Sequence, residues 1–79
     1  MRVLLFARPR ELAGTGTLDL EVESGATAAD VFAAVAGQVP GLDSVRDSLR
    51  CAVDGEYVSW DAGLCDGAEV ALIPPTAGG

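Results

Sequence analysis

The sequence of 79 residues contains no histidine and no lysine. Histidine is the usual general base at neutral pH and the commonest metal ligand, and neither role is open to it here. Two cysteines, Cys51 and Cys65, have neither CxxC spacing nor histidine company. A zinc centre normally needs four such ligands, so no metal site is expected. Both cysteines are expected to be small buried hydrophobes, unpaired in a reducing cytosol. No apolar run approaches the roughly 18 residues needed to span a bilayer. The apolar start, Met1 to Ala7, is too short for a signal peptide, and Arg8, Pro9, Arg10 and Glu11 come directly after it. A cytoplasmic location is the expectation. Cations are few: Arg2, Arg8, Arg10, Arg46 and Arg50 stand against 12 acidic residues, for a net charge of −7. Nucleic acid and anionic membrane both need a cationic footprint, so neither is expected as a partner. The acidic balance favours solubility, or a basic partner.

No nucleophile has a base beside it, and no glycine-rich loop suited to phosphate is present. Asp54, Asp61 and Asp66 fall at turns, where aspartate stabilises local structure. Asp43 and Asp47, spaced i, i+4 with like charge, read as a solvated face. An active site of the chain's own is therefore not expected, and no bound cofactor is implied. What the sequence does offer is its end, Ile73-Pro74-Pro75-Thr76-Ala77-Gly78-Gly79. Glycines without Cβ atoms thread narrow clefts and reach backbone conformations other residues avoid. A carboxylate on Gly79 can then be the reacting group.

The length allows one small domain, residues 1–79, with a flexible tail over 76–79. A chain of this size buries only about 60% of its unfolded surface, so a surface that works with a partner is favoured over a deep enclosed site. Val3 to Ala7 is an apolar run of strand length, expected to be buried on both faces. Gly14-Thr15-Gly16 signals a turn. Leu18 to Glu23 alternates apolar and acidic residues, with Leu18, Leu20 and Val22 inward. The two segments are predicted to form a hairpin. Thr27 is a good N-cap, with Asp30 closing a capping box, and Ala28 to Val39 reads as a helix. Its buried stripe is Ala28, Val31, Phe32, Val35 and Val39. Leu42 to Leu49 has the spacing of a short helical turn. Arg50–Val53 and Glu56–Val58 flank Asp54-Gly55, a strong hairpin turn. Glu69 to Ile73 is the last strand, stopped by Pro74-Pro75. The order predicts an α+β fold: a β-grasp, or ubiquitin-like, roll with one main helix packed on one face of a mixed sheet. Its first and last strands would lie side by side.

Strand alternation then sorts the faces. With Val3, Leu5, Val70 and Leu72 inward, Leu4, Phe6, Ala71 and Ile73 form an apolar patch on the outer face. Contiguous exposed patches mark interaction surfaces. Pro74 and Pro75 favour an extended backbone and aim the remaining tail residues outward. Residues 76–79 reach on the order of 13 Å at about 3.3 Å per residue. A partner gripping the patch would receive Gly79 in its own pocket.

Three stretches resemble the MoaD family, the small sulfur-carrying subunits of molybdopterin synthase, and the wider MoaD/ThiS group of ubiquitin-like sulfur carriers. They are Val3 to Gly14 with its Arg10-Glu11-Leu12-Ala13-Gly14 ending, the helix start at Thr27 to Val31, and Asp66 to Gly79. The resemblance implies that a MoeB-like, E1-like adenylating enzyme uses ATP to activate the Gly79 carboxylate. A sulfur donor then converts it to a thiocarboxylate, with Gly78 helping the tail thread the cleft. Catalytic side chains would sit on a MoaE-like large subunit, where two sulfur transfers build the dithiolene of molybdopterin. Phe6 and Ile73 match positions that grip the partner, with Leu4, Ala71, Pro74 and Pro75 beside them. Ile73 stands where an aromatic is more usual. Arg10 matches an arginine near the end of the family's opening strand. Related readings are sulfur carriage for thiazole, cysteine or tRNA thiolation, and a ubiquitin-like modifier whose Gly79 is joined to lysines of other proteins. Without lysine, such a modifier could not build lysine-linked polymers of itself.

Overall fold

The computed structural model describes residues 1–23 and 25–74. Five strands form one mixed sheet, in the order β2-β1-β5-β3-β4. They are β1 (Arg2–Leu5), β2 (Thr17–Asp19), β3 (Arg50–Val53), β4 (Glu56–Val58) and β5 (Glu69–Ile73). Two α-helices, α1 (Arg8–Ala13) and α2 (Ala28–Ala36), and a 3-10 helix over Leu42–Ser48 complete the elements. The first and last strands lie side by side, as the sequence predicts; the structure shows that they run parallel, with β5 at the centre of the sheet.

One face of the sheet carries the core. Val3 and Leu5 of β1, Cys51 of β3, and Val70 and Leu72 of β5 are buried beneath Ala28, Val31, Phe32 and Val35 of α2. Every residue of the predicted helical stripe is buried, Val39 included. Helix α2 itself stops at Ala36, earlier than expected, and Val39 is reached through a turn in which its N–H donates to the Val35 carbonyl at 2.9 Å.

A helix leaves four amides without intrahelical partners at its start, and α2 satisfies all four. The Thr27 N–H donates to Asp30 Oδ2 at 2.9 Å, and the Asp30 N–H to Thr27 Oγ1 at 3.2 Å. This is the capping box expected from the sequence. The Ala28 and Ala29 amides donate to the carbonyls of Ala62 and Trp60 at 3.0 and 2.8 Å. The loop before β5 is thereby welded to the helix. Arg46 of the 3-10 helix adds a second weld, its guanidinium 4.9 Å from the Trp60 ring centroid and 5.6 Å from that of Phe32. The two rings meet edge to face at 5.5 Å.

The opening segment departs from expectation. Strands β1 and β2 pair antiparallel, but they are not joined by a tight turn. Strand β1 ends at Leu5, two residues early, and α1 fills the connection. Pro9 in its first turn and Gly14 at its C-cap, with φ of 75°, are ordinary helix punctuation. Six residues are too few to display a helical period. Strand β2 is also shorter than predicted. Leu20 and Val22 still point inward alternately with exposed Glu21 and Glu23, but the strand itself ends at Asp19, with the Leu20 N–H still donating to the Met1 carbonyl at 2.8 Å. The two aspartates of the 3-10 helix, Asp43 and Asp47, are exposed.

Candidate functional site

The register fixes which side chains share the outer face. Leu4 is paired with Ala71 across the parallel β1–β5 ladder, and Ala71 with Ala52 across β5–β3. Ala52 is in turn paired with Tyr57 across β3–β4. Directly paired residues point to the same side of a sheet. One apolar row, Leu4-Ala71-Ala52-Tyr57, therefore crosses four strands on the face opposite α2. Ile73 lies two residues along β5 on the same side, half-buried, with Arg50 as its partner on β3. Phe6 follows β1 with the same parity as Leu4 and is 43% exposed. Pro74, half-buried, continues directly from Ile73. Leu4, Phe6, Ala71, Ile73 and Pro74 are thus brought together, while Pro75, Gly78 and Gly79 lie outside the described residues.

Tyr57 extends the face beyond the residues that alternation in β1 and β5 picks out. Its side chain is 64% exposed, the most exposed large apolar group among the described residues. The signal was available. Asp54 and Gly55 both have positive φ, 49° and 89°, as a two-residue hairpin turn requires. Such a turn fixes the pairing of Val53 with Glu56, and parity then puts Tyr57 beside Ala52 on the outer side. Ala52 is buried although it faces outward, because a lone methyl lies below the larger side chains around it.

Asp54 also anchors this half of the sheet. Its N–H donates to the Glu69 carbonyl at 2.9 Å, and its Oδ1 accepts from the Glu69 N–H at 3.0 Å. The turn that positions Tyr57 thereby fixes the start of β5, the strand that carries Ala71 and Ile73. Arg10 is exposed on α1, and its guanidinium carbon would lie 3.4 Å from any Cβ placed on Gly16. At Ala7, between Phe6 and α1, φ is 54° and ψ −127°, which an L-residue adopts only under strain. That bend stops β1 just before Phe6.

The reactive groups are few. Cys51 is on the inner face, and burial pushes its thiol pKa up. Cys65, expected to be buried, is instead exposed, because it lies in the loop beyond Leu64 where no element covers it; both thiols are free. Among the described residues no group of three His, Cys, Asp or Glu converges to hold a metal. Likewise, no helix among them is long and apolar enough to cross a membrane. An open hollow lined by Val22, Glu23, Gly25, Ala26 and Asp30 holds no nucleophile, and the Asp30 carboxylate is already committed to capping α2.

The five-stranded roll, with a central parallel pair and a helix on one face, is a β-grasp domain of the ubiquitin-like kind. The chain belongs to the ThiS family, whose pattern it matches over residues 3–79. The molybdopterin synthase sulfur carrier subunit of Chlamydomonas reinhardtii is 41% identical over 81 aligned residues, spanning 100% of this chain and 98% of the relative. The corresponding subunit of Arabidopsis thaliana is 38% identical, over 100% of this chain and 82% of the relative. Among solved structures, small archaeal modifier protein 1 of Haloferax volcanii superimposes with a TM-score of 0.86 at 30% identity, covering 95% of both chains.

Proposed function

We propose that this chain is the sulfur-carrying small subunit of a molybdopterin synthase. The observation that carries the reading is its full-length identity of 41% to a molybdopterin synthase sulfur carrier subunit. The outer face supplies the physical rationale. The apolar row from Leu4 to Tyr57 crosses the sheet as a surface for a partner to cover, and Ala71, Ile73 and Pro74 continue it along β5.

In this reading Gly79 ends the chain and its carboxylate is the cargo site. A free carboxylate is a poor electrophile. An E1-like, MoeB-like enzyme joins it to AMP from ATP, with release of pyrophosphate. A sulfur donor then displaces AMP at the carbonyl carbon, leaving a thiocarboxylate. Its soft sulfur is a strong nucleophile towards carbon. In the MoaE-like large subunit, two such transfers place the dithiolene sulfurs on the pterin precursor. Leu4, Phe6, Ala71, Ile73 and Tyr57 grip the partner, and Pro74 and Pro75 direct Gly78 and Gly79 into its pocket. Arg10, exposed on α1, completes the proposed set of partner contacts. The catalytic side chains and the ATP site belong to the partners, and the carrier works in the cytoplasm.

The test is intact mass. Incubated with its adenylating enzyme, ATP and a sulfur donor, the chain should gain the mass of one sulfur and lose that of one oxygen, at Gly79. Conditions that thiolate a control carrier but leave this chain unchanged would refute the proposal. Mixing the thiolated product with large subunit and pterin precursor should then yield molybdopterin.

The likeness to small archaeal modifier protein 1 favours a second reading, in which activated Gly79 is also passed to lysines of other proteins. Arg50 is the last tryptic site, so a conjugate would carry a branch running from Cys51 to Gly79. Absence of that branched peptide from the source proteome would count against this second activity.

A further inference from the structure

The five arginines are not equivalent. Arg8 pairs with Glu11 at 3.3 Å, and Arg46 is stacked on Trp60 and Phe32. Arg10 packs over Gly16. Arg2 is flanked on the outer face by Asp19 on β2 and Glu69 on β5, a row that alternates in sign. Arg50 is different. Its partner on β5 is Ile73, and the next outward residue of its own strand is Ala52. Strand β4 stops at Val58, opposite Cys51, so no β4 residue continues the ladder to Arg50. Among the described residues Arg50 makes no ion pair and is exposed.

We propose that Arg50 is a docking determinant that pairs with a carboxylate set into the apolar face of the partner protein. The inference rests on the sulfur-carrier reading and adds the partner's chemistry to it. Side chains directly opposite on antiparallel strands have Cβ atoms only about 4.5–5.5 Å apart. A partner that covers Ile73 therefore covers the root of Arg50. Desolvating a cation without a partner is strongly unfavourable, whereas a guanidinium forks naturally onto a carboxylate. The chain's net charge of −7 repels a broadly acidic surface, so the complementary charge is local. It is a carboxylate within a neutral or basic surround. Arg50 and Tyr57, on opposite strands of one hairpin, are also the residue types that dominate binding at interface centres.

The experiment titrates the full chain against the purified large synthase subunit. Arg50→Ala should weaken binding at least about tenfold, and Arg50→Glu further, because each leaves the partner's carboxylate unpaired or repelled. Arg50→Lys should lose less. Arg2→Glu should change affinity less than about threefold, since its row already contains both signs. Melting temperatures of the Arg50 variants should match the parent, because Arg50 makes no ion pair among the described residues. Reversing one Asp or Glu of the large subunit to Arg should restore binding to Arg50→Glu. Parent-like affinity of Arg50→Glu would overturn this inference alone and leave the carrier reading standing. Failure of the parent chain itself to bind the large subunit would overturn both.

Discussion

Asp54 offers a direct test of how the outer face is held together. Its carboxylate accepts the Glu69 N–H at 3.0 Å and so ties the β3–β4 turn to the first residue of β5. Asp54→Ala removes that acceptor. A hydrogen bond to a charged group contributes about 1.5–3 kcal/mol, and exposure of Asp54 brings the expected figure down to about 1 kcal/mol. The substitution also places alanine at a φ of 49°. Aspartate tolerates that region better than alanine, which adds about 1 kcal/mol. The sum is about 2 kcal/mol. For a domain of this size each kcal/mol lowers the melting temperature by about 4–8 °C, so Asp54→Ala should melt roughly 8–16 °C lower. Asp54→Asn retains an oxygen acceptor and the same backbone tolerance, and should stay within about 0.5 kcal/mol of the parent. Thermal unfolding followed by circular dichroism, checked by urea denaturation, measures both. The reasoning is refuted if Asp54→Ala melts with the parent, or if Asp54→Asn falls as far as Asp54→Ala.

Arg46→Ala should lose about 1–2 kcal/mol, the combined attraction to two aromatic faces at a half-buried position, and should shift Trp60 fluorescence in the folded state; unchanged emission and stability would rule out the stacked arginine as a source of stability. The two thiols should separate cleanly. Under native conditions a thiol reagent should modify Cys65 alone, with Cys51 reacting only on unfolding. Because burial raises the Cys51 pKa in the folded state, its contribution to stability is intact below the unfolded thiol value of about 8.5 and is lost as pH rises beyond it. Cys51→Ala should remove this component of the alkaline decline, and an identical pH profile in the variant would contradict the assignment.

The parts of the fold legible in the sequence were those with long or redundant signals. The helix stripe from Ala28 to Val39 repeats over three turns and has a cap at Thr27. The bounds of β3, β4 and β5 are set by the turn residues and prolines that flank them. Leu4 and Ala71 could be assigned outward by alternation once the first and last strands were expected to be neighbours. The misses come from short or non-local causes. Helix α1 spans six residues, below one full amphipathic repeat. Strand β2 ends opposite Arg2, where β1 begins, which depends on pairing and not on its own pattern. Cys65 looked like a core residue by type, but its exposure is decided by which loop atoms cover it. A segment-by-segment reading does not place Tyr57 and Arg50 on the outer face, because their side of the sheet is set by the registers of β3 against β4 and β5.

The parallel β1–β5 pairing has a mechanical consequence. Tension applied at Pro74, directly after Ile73, is taken up by β5. That strand is bonded to β1 over residues 69–72 and to β3 over residues 70–73. Tension along such a strand strains the rungs on both flanks together in shear and does not peel them one after another. A load applied at Pro74 is therefore shared by the middle of the sheet, and no single rung bears it alone.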